Sequence, residues 1–138
     1  MVQEGGCLCG AIRFSANGQP QAIRHCHCMQ CRKGTGAAFV TGLMYRASDV
    51  VWQGNPASFE SSDGIRRVFC ASCGGTLAFR QDNMARKEVL MLGAMDAPDQ
   101  IALPESVEHV FAERELHWLK VDDGFARIEG QPALYEIK

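Results

Sequence analysis

The hexapeptide CHCMQC at 26–31 places Cys26, Cys28 and Cys31 within six residues and interleaves His25 and His27 with them. Two more groups, Cys7-Leu-Cys9 and Cys70-Ala-Ser-Cys73, bring the chain to seven cysteines. Thiols one or two residues apart can reach one metal ion, because the backbone turns tightly around it and nearby amides can hydrogen-bond to the sulfurs. Structural zinc takes four protein ligands in a closed tetrahedron, and catalytic zinc commonly takes three and leaves a position open. Seven thiols divide into four and three.

At 138 residues, with 46% hydrophobic and 22% charged residues, the expectation is a single globular domain spanning residues 1–138. A net charge of −2 and the absence of a basic run argue against nucleic acid as a partner. The opening MVQEGGCLCG lacks the charged and apolar regions of a secretory signal, and no apolar run approaches the ~18 residues of a membrane span. The expected location is the cytoplasm, with no membrane association. In a reducing compartment, cysteines at such spacings point first to metal and second to redox chemistry, and an odd number argues against a fully paired disulfide framework.

The segments between turn residues are short, which is an all-β pattern. Strands are expected at 11–16, 21–28, 37–45, 49–53, 57–61, 65–70 and 76–80. The first two would form a hairpin through 17–20, and Ser62-Asp63-Gly64 would turn between two others. The apolar run VLML within 88–95 suits a central strand covered on both faces. Helix is confined to 29–33 and to some part of 105–116. The fold class is therefore mostly β, antiparallel, with little helix. Trp52, Trp118 and the phenylalanines are assigned to the core, and His109 and His117 to structural roles.

Spacing alone allows Cys28 and Cys31 to join Cys70 and Cys73 in one ribbon-like site. The flanking residues favour a different division. Gly10 follows Cys9 and Gly74-Gly75 follow Cys73, where positive φ lets a chain turn behind a metal ligand. These two groups read as matched halves of one site. Cys31 is followed instead by Arg32-Lys33-Gly34, where cations could receive an anionic ligand. Completion of the middle cluster by His25 or His27 is an alternative, although neighbouring side chains on a strand point to opposite faces. A metal-free redox role for Cys26, Cys28 and Cys31 is another.

GGCLCGAIRF (5–14), CHCMQCRKGTGAAF (26–39) and FCASCGGTLAF (69–79), in that order, resemble the glutathione-dependent formaldehyde-activating enzyme family, which also includes a centromere-protein-V-like branch. HVFAERELHWLKVDDG (109–124) is similar, more loosely, to the family's C-terminal segment. The resemblance implies several coiled antiparallel β-sheets organised around zinc. It also implies two zinc ions per chain, a structural one on Cys7, Cys9, Cys70 and Cys73 and a catalytic one on Cys26, Cys28 and Cys31. The expected activity is that of a carbon–sulfur lyase forming or cleaving an S-hydroxymethyl adduct of a small thiol such as glutathione, with Arg32 and Lys33 as substrate-binding residues. The competing expectation is a non-enzymatic, zinc-stabilised interaction domain.

Overall fold

A computed structural model describes residues 1–131. The last seven positions of the expected 1–138 domain lie outside the described residues. Among the described residues there are eleven strands, which build two sheets, and one short α-helix. In the smaller sheet β2 (Arg13–Asn17) lies between β1 (Val2–Gly6) and β5 (Val50–Gln53), antiparallel to both. The larger sheet has eight strands. Across it the order is β11 (Ala126–Ile128), β10 (Ser106–Val110), β3 (Ala22–Cys26), β4 (Val40–Arg46), β9 (Lys87–Met91), β8 (Thr76–Gln81), β7 (Ile65–Phe69) and β6 (Ala57–Ser62). Among the described residues the β3–β10 and β10–β11 pairings are parallel and the others antiparallel. The mostly β class expected from the sequence is what the chain adopts.

Strand register decides which side chains meet. Val107, Ile23, Leu43, Leu90, Ala78 and Val68 are successive cross-strand partners over six strands of the large sheet, and all are buried. This row packs on Ile12, Phe14 and Ala16 of the small sheet's side of the core, with Trp52 tilted against Phe14 at 5.3 Å. Each large apolar side chain removed from water there contributes about 1.5–3 kcal/mol. Residues one position along each strand point to the opposite face. That face carries Arg24 and Cys26 on β3, Gly42 and Met44 on β4, Val89 and Met91 on β9, Phe79 on β8, and Ile65 and Arg67 on β7.

Three expectations need correction. The strands at 13–17 and 22–26 do not form a hairpin: β1 and β5 occupy both edges of β2, so the chain crosses at 18–21 into the other sheet, where β3 joins β4 and β10. The segment 105–116 is not mainly helical, because its alternation of Val107 and His109 inward with Ser106 and Glu108 outward suits β10, and a single helical turn, Ala112–Arg114, follows. Trp118 is not in the core; it is 70% exposed, in a stretch beyond that turn that joins neither sheet. Among the strands, β1 and β11 had no forecast. The apolar run of 88–95 does form a central strand, β9, between β4 and β8, but it stops at Met91 and the chain then makes a single helical turn.

Candidate metal centre and cavity

Cys7 and Cys9 lie on the turn that leaves β1, and Cys70 and Cys73 on the turn between β7 and β8. The two turns are built alike. Gly10 N–H donates to Cys7 O at 3.1 Å and Gly74 N–H to Cys70 O at 2.8 Å, and both glycines have positive φ, 80° and 75°. An L side chain at either position would strain that conformation. The four sulfurs lie within 4.8 Å of one another, with Cys7–Cys9 at 3.7 Å and Cys9–Cys70 at 3.8 Å. A tetrahedron with Zn–S bonds of about 2.3 Å has edges of about 3.8 Å, so this donor set fits zinc. The backbone also favours thiolates: the Ile12 amide, 3.2 Å from Cys7 Sγ, lowers that thiol's pKa, and the Cys9 and Gly75 amides hold Cys73 at about 6.

The second group gathers around the N-terminus of α1 (Met29–Thr35). Cys26 ends β3, Cys28 caps the helix by accepting the Cys31 amide at 3.3 Å, and Cys31 is buried in the first turn. Their sulfurs lie within 4.8 Å of one another, and among the described residues no fourth His, Cys, Asp or Glu donor joins them at that distance. Arg67 reaches in from β7. Its guanidinium donates to Cys31 Sγ at 3.5 Å and to Ser61 Oγ at 3.1 Å, and it covers the Phe79 ring at 5.3 Å. Hydrogen bonds from Cys26 and Cys31, the Cys31 amide and the Arg67 charge together pull the Cys28 thiol down, and the same crowding pushes Cys26 up. All seven thiols are free.

The interleaved histidines belong to a different face. His25 hydrogen-bonds Thr41 Oγ1 at 2.7 Å, and His27 Nε2 lies 2.7 Å from His109 Nδ1, whose Nε2 is 2.7 Å from Asp123 Oδ2. Although burial opposes its charge, hydrogen bonds from His109 and the Phe125 amide hold Asp123 at about 2, so it is a carboxylate and can only accept. His109 therefore donates to it through Nε2–H, and its Nδ1 shares a hydrogen bond with His27 Nε2. Arg127 closes the chain by donating to Asp123 and Glu115. The ring nitrogens could be grouped as metal ligands, but these direct bonds take both nitrogens of His109 and one each of His25 and His27. The network fastens 109–127 to the CHC turn from behind.

In front of the three thiols opens a cavity of about 460 Å³. Cys26, Cys28 and Cys31 form part of its wall, and the outward face of β4, β9, β8 and β7 forms much of the rest. Phe111 also lines it from an αL backbone, φ 51°, the described chain's one non-glycine residue with positive φ. Such a conformation costs about 1–3 kcal/mol.

The structure thus brings together Cys7, Cys9, Cys70 and Cys73, and separately Cys26, Cys28 and Cys31. It leaves Arg32 and Lys33 in the last turn of α1, outside the cavity lining, where the cations are Arg24, Arg67 and Arg114. Arg67 was not singled out from the sequence. Its signal there is only the period-two alternation with Ile65, since Arg66, one position away, points elsewhere. His109, expected to be structural, is fully buried and donates to Asp123, a partner that the sequence reading does not single out.

A family model described as glutathione-dependent formaldehyde-activating enzyme matches residues 2–114. A protein named an uncharacterized lyase in Schizosaccharomyces pombe is 34% identical over 80 residues, and the match spans 58% of this chain and 58% of the length of that protein. A putative glutathione-dependent formaldehyde-activating enzyme of Halomonas elongata is 28% identical over 131 residues, covering 88% of this chain and 82% of the other. A crystal structure of a Rhodobacter sphaeroides protein superposes with a TM-score of 0.57 at 20% identity, covering 73% of this chain and 97% of that one, a likeness of fold.

Proposed function

We propose that this chain, which belongs to the glutathione-dependent formaldehyde-activating enzyme family, is a zinc-dependent carbon–sulfur lyase-type enzyme acting on a glutathione-like thiol adduct. The observation that supports this most is the three-thiol set, which has no fourth donor among the described residues and opens on a cavity. Cys26, Cys28 and Cys31 would hold the catalytic zinc, and Cys7, Cys9, Cys70 and Cys73 the structural one. Bound at the three thiols, zinc would supply a position at which an incoming thiol ionises near neutral pH, well below its free pKa of about 8.5.

The rest is the work of the chain. In the addition direction the thiol sulfur forms the carbon–sulfur bond with the carbonyl carbon, the C=O π pair moves to oxygen, and the proton lost from the thiol ends on that oxygen. Cleavage reverses each transfer. Arg67, beside Cys31, places positive charge where an anionic sulfur would enter. Arg114, an exposed cation of the cavity lining, would meet a substrate carboxylate at the cavity, whereas Arg32 and Lys33 would meet one only outside it.

The test is exchange NMR of formaldehyde with glutathione. Zinc-loaded protein should raise the exchange rate above the spontaneous one, and Cys28→Ser should abolish the gain with the fold intact. An exchange rate left at its spontaneous value, together with a cobalt-substituted protein whose spectrum ignores millimolar thiols, would replace this reading with that of a zinc-stabilised interaction module.

A further inference from the structure

The cavity in front of the three thiols is larger and more apolar than formaldehyde chemistry requires. A hydroxymethyl group has two heavy atoms, and at about a water's 30 Å³ each it would leave most of the 460 Å³ unfilled. The peptide part of a glutathione-like thiol is a poor candidate for the remainder. It carries two carboxylates, an ammonium and two amides, each costly to bury without a partner, whereas the floor presents Met44, Met91 and Val89 on adjacent β4 and β9, with Phe79 and Ile65 beyond them. Two of the polar groups in the wall are already engaged. Arg24 bonds the Ile23 and Ser106 carbonyls and faces Glu108 at 3.4 Å, and Arg67 holds Ser61 and Cys31.

Four methionines, Met29, Met44, Met84 and Met91, line this space. Their unbranched, polarisable side chains adapt to ligands of varying shape, a property useful against a flexible chain and of no use to a one-carbon carbonyl. Phe111 adds an aromatic wall at the end of β10, held in a conformation that a bulky residue rarely adopts. Backbone strain beside a site, together with an apolar surface continuous with the three sulfurs, points to a binding role for that surface.

We infer that the carbonyl half of the substrate is an aldehyde with a flexible apolar chain of several carbons, bound along the face of β4, β9, β8 and β7 while its carbonyl carbon meets the thiol sulfur at Cys26, Cys28 and Cys31. This rests on the lyase reading and names its substrate class. The bond changes are those given above, with RSH and R′CHO joining to RS–CH(OH)R′ and no other reactant.

S-methyl, S-propyl and S-hexyl glutathione are stable thioethers in which the alkyl group stands for the carbonyl-derived carbons. Calorimetric titration of the zinc-loaded full chain should show affinity rising roughly two- to fourfold per methylene, at least about thirtyfold from methyl to hexyl. Phe111→Asn, whose new side chain tolerates positive φ, and Ile65→Ser should each cut the hexyl-to-methyl ratio severalfold, with melting curves confirming the fold. Turnover is measured in parallel with the hydroxymethyl adduct and with the adduct of hexanal, and hexanal's kcat/KM should exceed formaldehyde's. A flat alkyl series beside efficient hydroxymethyl turnover overturns this inference and leaves the lyase reading standing. A steep series with no turnover of either adduct supports the cavity as an apolar-chain site and overturns the lyase reading. A steep series unaltered in both folded variants overturns the assignment to this wall.

Discussion

Arg67 and Cys31 are 36 positions apart, and their contact is made by the larger sheet. A hydrogen bond from a charged group contributes about 1.5–3 kcal/mol, so Arg67→Ala should weaken glutathione binding by about ten- to a hundredfold. Arg67→Lys should recover part of the loss, since an ammonium supplies the charge but not the fork that spans Ser61 and Cys31. Titration at two salt concentrations separates the two effects, and only the electrostatic part should shrink with added salt. Asp123 tests the other face. His109 is fully buried and donates to it, so Asp123→Ala should destabilise the fold by about 1–3 kcal/mol, seen in urea unfolding of the zinc-loaded protein. Asp123→Asn keeps an acceptor and should lose less; equal losses would mean that the carboxylate matters only for its charge.

The short elements draw their stability from what they pack on. β1 reads VQEGG and has no strand propensity to speak of, yet Gly5 is needed: a Cβ there would come within 2.4 Å of both Ala94 O and the Phe14 ring. Gly5→Ala should therefore cost about 1–3 kcal/mol by overpacking, visible as a lower melting temperature, whereas Gly93→Ala, which meets nothing within 4 Å, should be close to neutral. The two cysteine-bearing turns differ in a similar way. Cys73 belongs to a turn that links β7–β8 to the turn after β1, and Cys28 to a helix cap at the edge of a cavity. Cys73→Ser should damage folding and Cys28→Ser mainly binding or activity. Circular dichroism melts separate them, and equal, severe destabilisation by both would make the three-thiol set structural.

Taken together, the molecule is two sheets facing one another across a modest core, with the four-thiol set joining the end of the small sheet's β1 to the β7–β8 turn of the large one. Metal held there would be a tertiary cross-link, and its binding energy would be folding energy. Slow chelation should remove one equivalent of zinc with the circular dichroism spectrum unchanged, because a site with a replaceable ligand releases its metal first, and a second equivalent only with unfolding. Elemental analysis against the spectrum decides it, and loss of both in one cooperative step would count against two unequal sites.

Read alone, the sequence establishes that the chain is mostly β, that its thiols form three local groups, and that Gly10 and Gly74 let the chain turn after Cys9 and Cys73, because alternation, cysteine spacing and positive φ are properties of a few consecutive residues. It also identified the family, through motifs that are contiguous. It did not determine which sheet each strand joins. The segment 11–28 reads as a hairpin locally, but the partners of β2 lie at 2–6 and 50–53, and nothing local encodes a competition among distant edges. The face of each side chain was likewise decided only in three dimensions. His25 and Cys26 are adjacent in sequence, and strand alternation sends one to the His109 network and the other to the cavity. Register then brings Arg67 to Cys31, and four strands align their outward residues into one apolar wall, because hydrogen-bonded neighbours in a sheet share a face however far apart they stand in the chain.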